Sequence, residues 1–148
     1  MKKIYLASPF FTDTERAIYA DVISNLRKHG YDVFVPQEHT IENGEKMPNS
    51  EWAKAVFDMD MEALKNCDAV VALNWGLYSD SGTAWECGAA YAMGKPILQV
   101  ICGNSDEPYS CMMINGATAY CYDYEVLVAN YTIEELLNNR SCAWVEQK

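Results

Sequence analysis

Three carboxylates, Asp60, Asp80 and Glu86, are set apart by their spacing from the other acids of the chain. Between Glu51 and Asn66, the residues Lys54, Asp58, Glu62 and Lys65 follow at three- or four-residue steps. That is the pattern of a solvated helix face with modest i,i+4 pairing. Asp60 falls on the opposite stripe, with Val56 four residues before it and Leu64 four after. Its carboxylate is therefore expected to face a sheet, either as a boundary acid with a backbone partner or as a group that serves a ligand. Glu86 shares a helix face with Gly82, Thr83, Ala89, Ala90 and Met93. One long acid among small residues implies close packing on a sheet, with the carboxylate in a restricted space. Burying a carboxylate is costly unless it is hydrogen-bonded or has work to do, and at this depth the helix dipole gives little help. A structural acid bound to a tyrosine or to backbone amides fits the spacing as well as a reactive carboxylate does. Asp80 stands just before the same helix and can serve as its N-cap. Gly82-Thr83 at a helix start also suits a phosphate cradle. Two flanking carboxylates, with no following cation before Lys95, argue against that use.

The elements that must hold these acids alternate between strand and helix, the pattern of a parallel sheet covered on both faces. Ile4 to Ala7 reads as a strand. Thr12-Asp13-Thr14-Glu15 has capping-box spacing, and the helix it opens carries Ile18, Val22 and Leu26 and stops at Gly30. Tyr31 to Val35 reads as a second strand, residues 37–50 as a loop, and Ser50 as the cap of a helix from Glu51 to Asn66. Ala69 to Leu73, a continuous apolar run, suits the centre of the sheet. A helix over Ser81–Met93, a strand over Pro96–Ile101, a short helix near 110–115, a strand over Tyr120–Tyr122 and a helix over Thr132–Asn138 complete the reading. The whole of 1–148 is expected to form one α/β domain of four or five parallel strands. Ligands of such sheets bind at the carboxyl ends of the strands, which points to the loops after Ala7, Val35, Asn74 and Cys102.

With 148 residues, half of them apolar and 22% charged, the chain can bury a core. Its net charge of −10 excludes nucleic-acid backbones and anionic membranes as partners and suits a small neutral ligand. Six cysteines without a Cys-x-x-Cys pair, and two distant histidines, make no zinc pattern. No apolar run has the length of a signal peptide core or a membrane span, so the expected compartment is the cytosol and the expected state of the cysteines is reduced.

The run from Ser79 to Ala90 with Gly94-Lys95-Pro96, the start Ile4-Tyr5-Leu6-Ala7-Ser8-Pro9-Phe10-Phe11, and the middle Lys65 to Ala72 together resemble the nucleoside 2-deoxyribosyltransferase family, in the expected order over most of residues 3–116. The resemblance implies a flavodoxin-like, doubly wound fold, an oligomer built from dimers, and no cofactor or metal. It implies Glu86 as nucleophile, Tyr5 as the hydrogen-bond partner that orients it, Asp60 as the acid beside the departing base, and Asp80 as the acid that holds the sugar 5′-hydroxyl, next to Gly82. The family also brings a side chain from a neighbouring subunit to that hydroxyl, usually asparagine. Ser110 stands at the matching position here, a departure shared with a related family of deoxynucleoside 5′-monophosphate N-hydrolases, which also tends to have serine at the position of Asp80.

The implied reaction is the transfer of 2-deoxyribose between nucleobases, by retaining-glycosidase logic with a base as leaving group. Its substrates are a 2′-deoxynucleoside and a free base. Phe10, Phe11 and Trp52 are candidates to stack on the base, though a core position is the commoner use of each, and Gln37 to read its edge. Hydrolysis of the same bond, and a nucleotide-binding module without turnover, are the alternative readings. Inward-facing acids disfavour the module.

Overall fold

The computed structural model of the chain describes residues 1–77, 79–102, 109–121 and 131–138. Strand β1 (Lys3–Ala7) turns Ile4 and Leu6 to one face of the sheet and Tyr5 and Ala7 to the other, the two-residue alternation of a strand. Helix α1 (Asp13–Lys28) starts with the expected capping box: Glu15 N donates to Thr12 Oγ1 (3.2 Å) and Thr12 N to Glu15 Oε2 (2.8 Å). The chain leaves it through Gly30, whose φ of +85° favours glycine. Strand β2 is Asp32–Phe34, and two short 3-10 turns, Pro36–Glu38 and Gly44–Lys46, follow where the sequence predicts only loop.

Helix α2 (Asn49–Asn66) begins two residues earlier than expected, with Pro48 rather than Ser50 at its N-cap. Glu51 N and Trp52 N both donate to Pro48 O at 3.0 Å, so Ser50 lies inside the first turn. At the other end, Lys95 Nζ donates to Lys65 O and Cys67 O, each at 2.7 Å. A cation there complements the negative end of the helix. Strand β3 (Ala69–Asn74) is buried along its whole length. Then come α3 (Ser81–Ala92), β4 (Ile97–Ile101), α4 (Cys111–Gly116), β5 (Ala119–Cys121) and α5 (Ile133–Asn138). Strand β5 begins one residue before the expected start at Tyr120. Thr118 already bonds to Ile97, through N to O at 2.8 Å and from Ile97 N to Oγ1 at 3.0 Å, which sets its register.

The five strands are parallel, in the order β2-β1-β3-β4-β5. Helices α1 and α5 supply Tyr19, Val22, Leu26, Ile133 and Leu136 to the core on one face. Helices α2, α3 and α4 supply Leu64, Cys87, Ala90 and Met113 on the other. Each large apolar side chain buried in these layers contributes about 1.5–3 kcal/mol. No helix among the described residues is long and apolar enough to cross a membrane. Chain direction along the sheet reverses between β1 and β3, and the crevice at such a switch point is where doubly wound sheets hold ligands.

Candidate active site

Tyr5 stands in the middle of β1, opposite Phe34 on β2 and Val70 on β3, and is fully buried. Its ring stacks on Phe34 with centroids 5.4 Å apart, and Phe34 stacks in turn on His39 at 4.4 Å. A ring clamped in this way fixes where its hydroxyl lies. That hydroxyl donates to Glu86 Oε1 at 2.6 Å, joining residues 81 apart in sequence. Burial first, and then the charge and hydrogen bond of Glu86, push the Tyr5 pKa far above that of an ordinary phenol. It is therefore a permanent donor.

Glu86 lies in the second turn of α3, partly buried, with its carboxyl pushed up to about 7. Burial is the main cause; the Tyr5 hydrogen bond lowers it, while the charges of Asp60 and Asp80 raise it. Asp60 reaches the same space from α2. Burial raises its pKa, opposed by His39, and its buried Oδ1 has no hydrogen-bond partner among the described residues. An unpaired carboxylate oxygen in a cleft is a group left open for something else to meet.

Asp80 is the N-cap of α3: its Oδ2 accepts from Thr83 N (2.8 Å) and Thr83 Oγ1 (3.1 Å). The structural role foreseen for it is thus present, and its charge still acts on Glu86. Gly82 keeps room for that carboxylate, since a Cβ there would meet Asp80 Oδ2 at 3.0 Å.

Tyr5, Asp60, Gly82 and Glu86 line one cavity of about 380 Å³, together with Val56, Phe57 and Trp85. Phe57 and Trp85, both half exposed, meet edge to face at 5.2 Å beside it. Four of the ten residues singled out from the sequence therefore converge here, and Asp80 adjoins them. The others do not line the cavity. Phe10 packs against the core beside Tyr19, Phe11 is exposed, and Gln37 is exposed on the turn after β2. Ser110 is the N-cap residue of α4, taking Ile114 N through its carbonyl oxygen (3.0 Å) and making no capping bond with its side chain. Trp52 packs over Gly44, where a Cβ would come within 3.0 Å of its ring. Sequence reasoning missed Phe34, His39, Phe57 and Trp85. His39 follows the carboxyl end of β2, so the strand-end rule pointed at its loop but not at the residue.

A parallel sheet of this order, with a tyrosine-held carboxylate at its switch point, defines an α/β protein of the flavodoxin-like arrangement. The chain belongs to the nucleoside 2-deoxyribosyltransferase family, whose family model matches residues 4–134. It is similar to a solved 2-deoxyribosyltransferase of Bacillus psychrosaccharolyticus, with 34% identity and a TM-score of 0.76, covering 90% of this chain and 95% of that one. It is 30% identical over 141 residues to a 5-hydroxymethyl-dUMP N-hydrolase of Rattus norvegicus, covering 90% of this chain and 80% of the relative. A nucleoside deoxyribosyltransferase of Lactobacillus johnsonii is 28% identical over 110 residues, or 68% of this chain and 72% of that one.

Proposed function

We propose that the chain is a nucleoside 2-deoxyribosyltransferase that moves 2-deoxyribose between nucleobases through a covalent sugar ester on Glu86, with retention. The observation that carries this reading is the 2.6 Å Tyr5–Glu86 pair, on a cavity that also holds Asp60, whose Oδ1 has no hydrogen-bond partner among the described residues. The Tyr5 bond engages Oε1 and leaves Oε2 to attack C1′. As the C1′–N bond breaks, its electron pair leaves with the base, and Asp60, whose raised pKa favours the protonated form, gives the base a proton. An incoming base then attacks C1′ from the face the first one left, returns a proton to Asp60, and releases Glu86 as carboxylate. Two inversions give retention.

Hydrolysis of a deoxynucleoside or its 5′-monophosphate is the second reading, favoured by the similarity to the rat N-hydrolase and by Ser110. Against a 5′-phosphate stands Asp80. It already takes the Thr83 amide at the start of α3, where a phosphate would otherwise bind, and its charge repels a dianion. Ser110 does not line its own chain's cavity, so in this account it serves a neighbouring subunit of a homo-oligomer. The test is incubation with deoxyinosine, with and without adenine or cytosine, followed by chromatography. Deoxyadenosine or deoxycytidine forming only when the free base is supplied supports transfer. Hypoxanthine release at an equal rate without acceptor contradicts it.

A further inference from the structure

We propose that Phe57 and Trp85 are the base-binding residues of this same site, an aromatic wall on which the nucleobase stacks. The inference rests on the deoxyribosyl-transfer reading above. It also moves the stacking role away from Phe10, Phe11 and Trp52, which do not line the cavity. Phe57 belongs to α2 and Trp85 to α3, and both line the cavity that holds Tyr5, Asp60 and Glu86. They are 48% and 51% exposed, and their rings meet at 5.2 Å with planes inclined by 63°. Exposed apolar side chains scattered singly are ordinary on a protein surface. These two are not scattered, because they touch each other at the open side of a cavity with two carboxylates inside it. About half of each ring is left uncovered by the chain, so a flat apolar surface stands ready for a ligand.

Each ring is set beside an acid that the reaction uses. Phe57 stands three residues before Asp60 on α2, a spacing that puts both on one face of the helix. Trp85 directly precedes Glu86 on α3. Asp60 gives its proton to the departing base in the proposed reaction, so the base must lie against that acid. The side chain one turn along the same helix is then Phe57, and the ring that meets Phe57 from the facing helix is Trp85.

The chemistry of the wall selects the base over the sugar. Ala53, Val56, Met61 and Leu64 complete the lining around the rings, and none of them offers a side-chain hydrogen bond to a sugar hydroxyl. A nucleobase carries its polar atoms on its edge and has two π-faces that match such a surface. Stacking is also tolerant of which base is present, since every base has a π-face. An enzyme that exchanges one base for another needs that tolerance. The other exposed apolar side chains of this layer, Tyr91 and Met112, line another cavity, between α3 and α4. A test can therefore separate base binding from contacts between copies.

That test is calorimetric titration with deoxyinosine and with deoxycytidine in a Glu86→Gln background, which removes the attacking carboxylate and lets the intact nucleoside be titrated. Phe57→Ala and Trp85→Ala should each weaken binding about five- to hundredfold, the scale of stacking on one aromatic side chain. Trp85→Phe, which keeps a ring, should weaken it less than about threefold. Sedimentation of the same proteins should be unchanged. Equal affinity in either alanine variant, or a Trp85→Phe loss as large as that of Trp85→Ala, would overturn the proposal. A loss of affinity that appears only together with smaller assemblies would assign the rings to a contact between copies and overturn it as well. Failure of the Glu86→Gln parent to bind either nucleoside would strike the deoxyribosyl reading, and the stacking with it. Absence of base exchange by the wild type, with the alanine losses present, would strike the transfer reading and leave the aromatic wall in place.

Discussion

At Glu86, burial and ionisation oppose each other. Its carboxyl titrates near 7 in the fold against 4.5 as a free side chain. Between those values the folded protein holds a proton that the unfolded chain has released. Stability therefore falls as pH rises through that window and stays lowered above it. Replacing Glu86 with Gln should stabilise the protein above neutral pH by roughly 3 kcal/mol at most, and should give no gain below about pH 4. Denaturant titrations on both sides of the window check this; an equal effect at both pH values would contradict it. Turnover needs the ionised form, so kcat/KM should rise with pH through about 7. The Tyr5 hydrogen bond lowers the Glu86 pKa. Tyr5→Phe should therefore move that acid limb to higher pH and reduce the rate at neutral pH by about tenfold or more. A pH–rate profile with an unmoved limb would remove Tyr5 from this role.

Helix α3 carries two tasks at its start. Asp80 closes the first turn through Thr83 and also adds negative charge near Glu86. Asp80→Ala should lower stability by about 1 kcal/mol through loss of the cap. Asp80→Asn should keep most of the cap while shifting the acid limb of kcat/KM to lower pH, because one of the charges that raise Glu86 is gone. Thermal melts with pH–rate profiles on both variants separate the two tasks. Most elements could be read from local rules: Thr12 and Glu15 announced α1, and the apolar run at Ala69 announced β3. The early start of α2 could not, because Pro48 outcompetes Ser50 through carbonyl bonds that no propensity encodes. At the site, spacing exposed Asp60 and Glu86 as misplaced acids, since helix periodicity is local. It could not show that Tyr5, 81 residues away, reaches Glu86, or that His39 stacks on Phe34, because strand pairing creates those contacts. Tyr5 was found only through resemblance to a family.

Across the molecule, large apolar side chains stay exposed on the α2–α3–α4 layer: Phe57, Trp85, Tyr91 and Met112, the last at 84%. An apolar surface of this kind supports the proposed assembly of copies. The protein should therefore sediment as a dimer or larger, and a double Tyr91→Lys, Met112→Lys variant should be smaller. If Ser110 serves a neighbouring site, that variant should also lose activity. A folded, fully active monomer would contradict the shared site. The proposed mechanism turns on one bond, between Glu86 and the anomeric carbon of deoxyribose. Intact-mass analysis of enzyme quenched during turnover of deoxyinosine, followed by peptide mapping, looks for that bond directly. The expected result is a mass increase of one deoxyribosyl group, mapped to Glu86, that disappears when a free base is added before quenching. Base exchange proceeding with no such adduct, or with the adduct on another residue, would contradict it.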